Sequence, residues 1–190
     1  RSTLFPYTTL FRSASPLPER NSATDILLNT IPWGKTNVAI VFSSESPRKM
    51  MHPIKWHVIV ERLLAQNCFV VQIGRMGDVP IRGAYTLLGA TTPMQVFDLL
   101  KNVDVLITLD NYIMHAAKLV HTPTIALFGP TEASRYGYYE HYCIQADLSK
   151  CDQSDRCLGP HVSENYDKPC PLCESHCMNS HDEAKIVDVA

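Results

Sequence analysis

The stretch "VDVLITLDNYIMHAAKLVHTPTIALFGPT", residues 103–131, decides the fold. An apolar run ends at an acidic residue, Asp110. The segment "YIMHAAKLV" follows with helical spacing and carries His115. A second apolar run, "TIALF", closes on Gly129, Pro130 and Thr131. Strand, helix and strand with short connections describe a parallel sheet with a crossover helix.

The same alternation extends upstream. Thr92 reads as a helix N-cap, Pro93 as the first helical residue and Gln95 as the partner in a capping box, with the helix running to about Lys101. "AYTLLG" reads as a short strand and "CFVVQIG" as a strand ending at Gly74. "IKWHVIVERLLAQ" places Trp56, Val60, Leu63 and Leu64 at helical spacing, and "NVAIVF" is a buried strand. The strands are apolar throughout, as in a sheet covered on both faces. Residues 37–146 are therefore expected to form a Rossmann-like α/β lobe, without the G-x-G-x-x-G of dinucleotide binding.

Composition narrows the function. The chain has 190 residues, 45% of them hydrophobic, which can fill a core. A net charge of −2 gives no general attraction to nucleic acid. No apolar run approaches the roughly 18 residues of a membrane span, and no signal peptide is legible, so an intracellular protein is expected. "TLFPYTTLFRS" matches a sequencing-library adapter translated in frame, so residues 1–13 are set apart as an artefact. An ordinary leader is the alternative. Residues 14–36 read as linker with one short turn at "DILLN".

Residues 147–190 form a cysteine-rich tail that ends in the start of a helix, "DEAKIVDVA". Of seven cysteines, Cys68 stands alone and reads as core, and six fall between Cys143 and Cys177. Cys170 and Cys173 make a CxxC, Cys177 follows, and Cys157 lies upstream. Such clustering favours a structural zinc or iron over disulfides in an intracellular chain. Reduced, unliganded thiols are the alternative.

Ligands of open α/β sheets bind beyond the carboxyl ends of the strands. That rule selects Ser43–Lys49, Gly74–Asp78, Asp110 with Asn111, and Gly129–Glu132. The helix opening at Asn111 offers amides and a positive dipole end to an anion such as a diphosphate. His115 lies one turn into that helix. Each feature has a plainer reading: Asp110 as a helix cap, His115 as a core histidine, Gly129-Pro130 as a turn, Lys55 as a solvated helix residue.

Residues 37–146 resemble the donor-binding lobe of family 9 glycosyltransferases, the heptosyltransferases of lipopolysaccharide assembly. "LLGATTPMQVFDLLKNVDVLITLDNYIMHAA" is similar to the family stretch ending in Asp-Ser/Thr-Gly-x-x-His-x-Ala, and "TPTIALFGPT" to its strand with Phe-Gly-Pro-Thr. "KWHVIVERLLAQNCFVVQIG" resembles its Lys/Trp helix and following strand, and "KPCPLCESHCM" the tail of many members. The resemblance implies a GT-B fold and inverting transfer of a sugar from a nucleotide donor, ADP-heptose being favoured. The implied acceptor is a lipopolysaccharide-type glycan or glycolipid, and the chemistry needs no cofactor. Asp110 and Asn111 would hold the donor beside His115. Lys55 would meet the phosphates and Asp78 the ribose hydroxyls, while Gly129, Pro130 and Thr131 line the pocket. In an autotransporter-modifying branch the tail cysteines hold iron, which points to Cys157, Cys170, Cys173 and Cys177. A cytoplasmic location is implied, with a peripheral place at the inner membrane as an option.

The chain departs from the pattern at two places. Tyr112 stands where the motif has Gly, and Lys55 directly precedes Trp56 where the family has one residue between. The family's catalytic base belongs to an N-terminal lobe absent from this sequence, so no catalytic residue is assigned and the lobe alone is expected to be inactive. A noncatalytic nucleotide-binding or cysteine–metal module, or a GT-B enzyme with a UDP-sugar donor, are the alternatives.

Overall fold

A computed structural model describes residues 22–34, 36–149, 151, 157, 166–172 and 175–190, with backbone alone at 22–24 and 26. The expected artefact at 1–13 and Cys173 lie outside the described residues. Two compact units divide at Pro32 and Trp33. The first contains helix α1, Ser22–Thr30, where the sequence suggests one short turn. Asp25 in its first turn complements the dipole. At its end the Thr30 hydroxyl donates to the Leu27 carbonyl at 2.7 Å.

The second unit is built on six strands: β1 Asn37–Val41, β2 Phe69–Gly74, β3 Tyr85–Leu88, β4 Val105–Leu109, β5 Thr124–Phe128 and β6 Tyr142–Gln145. Their order is β3-β2-β1-β4-β5-β6 and every neighbouring pair is parallel. The expected Rossmann-like sheet is present, with β6 as an additional edge strand.

Among the described residues this unit carries helices α2 Pro53–Ala65, α3 Pro93–Leu100, α4 Tyr112–Leu119, α5 Ala133–Tyr136 and α6 Glu183–Asp188. The start of α3 forms the expected capping box, with the Thr92 side chain accepting from Gln95 N and Pro93 in the first turn. Trp56, Ile59, Val60 and Leu63 of α2 and Ile186 and Val187 of α6 cover one face. They pack on Val38, Ile40, Val105, Ile107, Leu109, Ile125 and Leu127. Leu64, read at the same helical spacing, is instead 39% exposed, and Ile59 is the fourth buried residue of the helix. On the opposite face Met114 of α4 packs with Ala126 and Phe128. Cys68 is half-buried and packs against the edge of the first cluster.

This order explains the apolar strands. All five residues of β4 and of β5 are buried because helices cover both faces. Trp56 is fully buried against Phe42, their rings 6.0 Å apart. Truncating such a side chain to alanine costs about 3–5 kcal/mol.

Candidate functional site

The chain order reverses between β1 and β4, so the crevice that open α/β sheets use for ligands lies at their carboxyl ends. Two contacts bridge it. Asn111 Nδ2 donates to the Ser43 carbonyl at 3.1 Å. Lys49 Nζ donates to Asp110 Oδ2 at 2.7 Å. The same carboxylate oxygen accepts from Thr131 Oγ1 at 2.7 Å. One oxygen therefore ties together the segments that follow β1, β4 and β5.

The pair is largely shielded, with the Lys49 side chain 13% exposed and that of Asp110 9% exposed. Lys49 comes from a short 3-10 turn, Pro47–Lys49. An ammonium has three donors, so the bond to Asp110 leaves Lys49 further capacity for an anion.

Asn111 caps α4. Its Oδ1 accepts from Ile113 N at 2.9 Å and from Met114 N at 3.3 Å. Both donors lie in the first turn, where amides otherwise lack partners. Tyr112, the first residue of α4, is 56% exposed. Burial raises its phenol above the usual range, and the nearby Arg75 opposes that shift. Arg75, at the end of β2, donates to the Ser44 carbonyl at 3.2 Å.

His115 Nδ1 lies 2.8 Å from the Tyr138 hydroxyl, with the two rings edge to face. Burial pushes its imidazole below the usual value; the Asp110 charge opposes this and Lys49 adds to it. His115 thus senses the Lys49–Asp110 pair from the next turn of α4. Behind it, His141 is buried with Nδ1 lacking a hydrogen-bond partner among the described residues.

The other sequence-selected residues are distributed as follows. Asp78 Oδ2 accepts from Arg75 N at 2.8 Å and closes the turn after β2. Gly129 carries a carbonyl that accepts from Gln145 Nε2 at 2.8 Å. Its Cα faces the tail, since an added Cβ would sit 3.2 Å from Cys177 Sγ and closer still to Met178. Pro130 is half-buried between Gly129 and Thr131. Lys55 points away from Asp110's partners: its Nζ donates to the His181 carbonyl at 2.8 Å and pairs with Glu183 at 2.5 Å. The cation on Asp110 is Lys49. The segment Ser43–Lys49 is legible as a strand-end loop, but nothing local distinguishes Lys49 within it.

The tail thiols gather without forming a metal centre among the described residues. The six described cysteines are free. Burial raises the Cys157 thiol, Arg48 opposes that, and Cys170 and Cys151 add to it. Cys177 is pushed up to about 12 by burial and then by Cys157, Cys151 and Cys170. Cys157 and Cys177 thus feel each other and both Cys151 and Cys170. Among the described residues, however, no three His, Cys, Asp or Glu side chains converge as ligands. Among the described residues, no helix is long and apolar enough to cross a membrane.

Residues 12–157 match the model of glycosyltransferase family 9 (heptosyltransferase). The chain belongs to glycosyltransferase family 9. No curated protein sequence matches it. Solved structures of similar fold include the dodecameric iron-containing heptosyltransferase TibC of enterotoxigenic E. coli in complex with ADP-D-β-D-heptose. That structure shares 18% identity at a TM-score of 0.65, over 81% of this chain and 44% of that one. A family 9 glycosyltransferase from Veillonella parvula shares 14% identity at a TM-score of 0.63, over 87% and 47%. The E. coli heptosyltransferase WaaC with ADP shares 15% identity at a TM-score of 0.53, over 73% and 48%. At these identities the likeness is one of fold. The chain spans under half of the length of each of these family 9 relatives.

Proposed function

We propose that this chain is the nucleotide-sugar-binding lobe of a family 9 glycosyltransferase and that its donor is ADP-heptose. The observation that carries this reading is the joint hold of Asp110 on Lys49 and Thr131, beside the capped N-terminus of α4. Asp110 itself repels a diphosphate. Its role is to fix Lys49, with the Thr131 hydroxyl bracing the same carboxylate, so that the ammonium and the helix dipole face one anion. As the sugar leaves, the diphosphate gains negative charge, and fixed donors stabilise it without reorganising. His115, whose imidazole burial pushes below its usual value, stands one turn into the same helix and meets the Tyr138 hydroxyl.

The choice of ADP-heptose draws on TibC and WaaC, which were solved with ADP-D-β-D-heptose and with ADP. Inverting transfer to a glycan or glycolipid acceptor calls for an N-terminal lobe that supplies the base. We assign the ribose hydroxyls to Asp78, at the neighbouring strand end. Gly129 and Pro130 then set the path of the loop that presents Thr131. A structural zinc or iron on Cys157, Cys170, Cys173 and Cys177 belongs to the same reading, supported by the iron in TibC. Elemental analysis of the purified chain tests it, one ion per chain supporting the site and none contradicting it.

Calorimetric titration with ADP, ADP-heptose and UDP tests the donor. The reading expects saturable adenine-nucleotide binding that Asp110→Ala weakens about tenfold or more. Preference for UDP would favour another GT-B donor class. No binding to the folded chain would sink the reading.

A further inference from the structure

Lys49 reaches Asp110 from a loop that also meets the cysteine-rich tail. The residue before it, Arg48, is 6% exposed and points the other way, into the cysteine-rich tail. Arg48 Nε donates to the Lys168 carbonyl at 3.0 Å, and Nη1 donates to the Cys157 carbonyl at 3.0 Å. Nη1 also lies 3.3 Å from Cys157 Sγ. Further contacts join the same two segments. Ser175 Oγ donates to the Pro47 carbonyl at 2.8 Å, and His52 N donates to Asn179 Oδ1 at 2.7 Å. Lys49 Nζ also stands 5.9 Å from the centre of the Tyr166 ring.

We propose that Arg48 is a positioning residue for the nucleotide site, the latch through which the cysteine-rich tail holds Lys49 against Asp110. The inference rests on the reading of that site as a diphosphate pocket. Three features support it. A buried guanidinium must keep its donors satisfied, and Arg48 meets that need on tail carbonyls 109 and 120 positions away. Its planar fork reaches two separate carbonyls, which a lysine's single ammonium cannot do in the same geometry. Residues 48 and 49 are adjacent, so fixing one side chain in the tail fixes the backbone from which the other crosses the crevice. A tail remote in sequence thereby sets the place of the site's cation.

The test is a double-mutant cycle on the full chain, with ADP as the probe. Calorimetry would give the ADP affinity of wild type, Arg48→Ala, Lys49→Ala and the double variant, with thermal midpoints on the same samples. If Arg48 acts through Lys49, each single change weakens ADP about tenfold, and the double variant binds no worse than Lys49→Ala. Losses that multiply, or an unchanged affinity in Arg48→Ala, would overturn the proposal. Should Arg48→Ala not fold, Arg48→Lys replaces it; this variant keeps the charge and loses the fork, and it is expected to lose most of the tenfold. Full affinity in Arg48→Lys would overturn the latch. If wild type itself fails to bind ADP, the reading of the site fails, and nitrogen NMR of the Lys49 ammonium decides the latch alone. That signal is expected to stand apart from the other lysines in wild type and to join them in Arg48→Lys. An unmoved signal would refute the latch.

Discussion

Lys49 Nζ and Asp110 Oδ2 lie 2.7 Å apart although 61 positions separate them in the chain. This contact spans the point where the strand order reverses, between β1 and β4. It is also the contact that a charge change should disturb most. Removing one member of a shielded pair leaves the other charge uncompensated, at a cost of about 3–5 kcal/mol when burial is complete. Asp110→Ala is therefore expected to destabilise the chain by roughly the lower end of that range, since both side chains keep some exposure. The double variant Lys49→Met/Asp110→Ala should recover part of the loss. Urea denaturation of the three proteins checks this; equal stability of wild type and Asp110→Ala would contradict it.

Gly129 serves the tail as well as the site. A Cβ there would press on Cys177 Sγ at 3.2 Å and harder on Met178, which is fully buried and has little room to withdraw. Gly129→Ala should cost about 1–3 kcal/mol by overpacking. Combining it with Met178→Ala should return less than the sum of the two single losses. Thermal unfolding of the set would show this, and strict additivity would count against it.

Two buried histidines make the fold sensitive to mild acid. His181 Nε2 lies 3.1 Å from the Phe128 carbonyl, an acceptor, so the neutral ring carries its proton there. Burial pulls its pKa from 6.5 to about 4; the Phe128 carbonyl opposes the shift, and Lys55 and Lys185 add to it. Burial, with Lys118 and His115, pulls His141 to about 4 as well. Both folded values lie below the unfolded one, so the unfolded chain takes up protons first as pH falls. These groups leave stability unaffected above about 6.5 and remove it progressively down to about 4. Replacing each by Gln should flatten the fall in denaturation free energy between pH 7 and pH 5. An unchanged slope would contradict the assignment.

Much of the fold is legible in sequence because its signals are local. The apolar runs at β1, β2, β4 and β5 need only a sheet covered on both faces, and Thr92 to Gln95 announce the start of α3 within four residues. Edge strand β6 has one buried residue of four and carries no such signature. Helix α1 was obscured by its Ser, Thr and Asn content, which favours turns as readily as helix. At the site, Asp110, Asn111 and Thr131 stand at strand ends and can be found by rule. Lys49 and Arg48 cannot, since their partners lie 61 to 120 positions away and depend on how the tail returns to the loop after β1. Lys55 shows the converse. Family likeness suggests the phosphates for it, and the partner the structure gives it is Glu183, on α6 alongside α2, 128 positions away.

The contrast between the two lysines gives the most direct test. ADP affinity would be measured by calorimetry for wild type, Lys49→Ala and Lys55→Ala. The account predicts a loss of about tenfold or more for Lys49→Ala and a change within about twofold for Lys55→Ala, since only Lys49 stands on the Asp110 carboxylate. Loss confined to Lys55→Ala would contradict it and place the diphosphate at the tail side of α2.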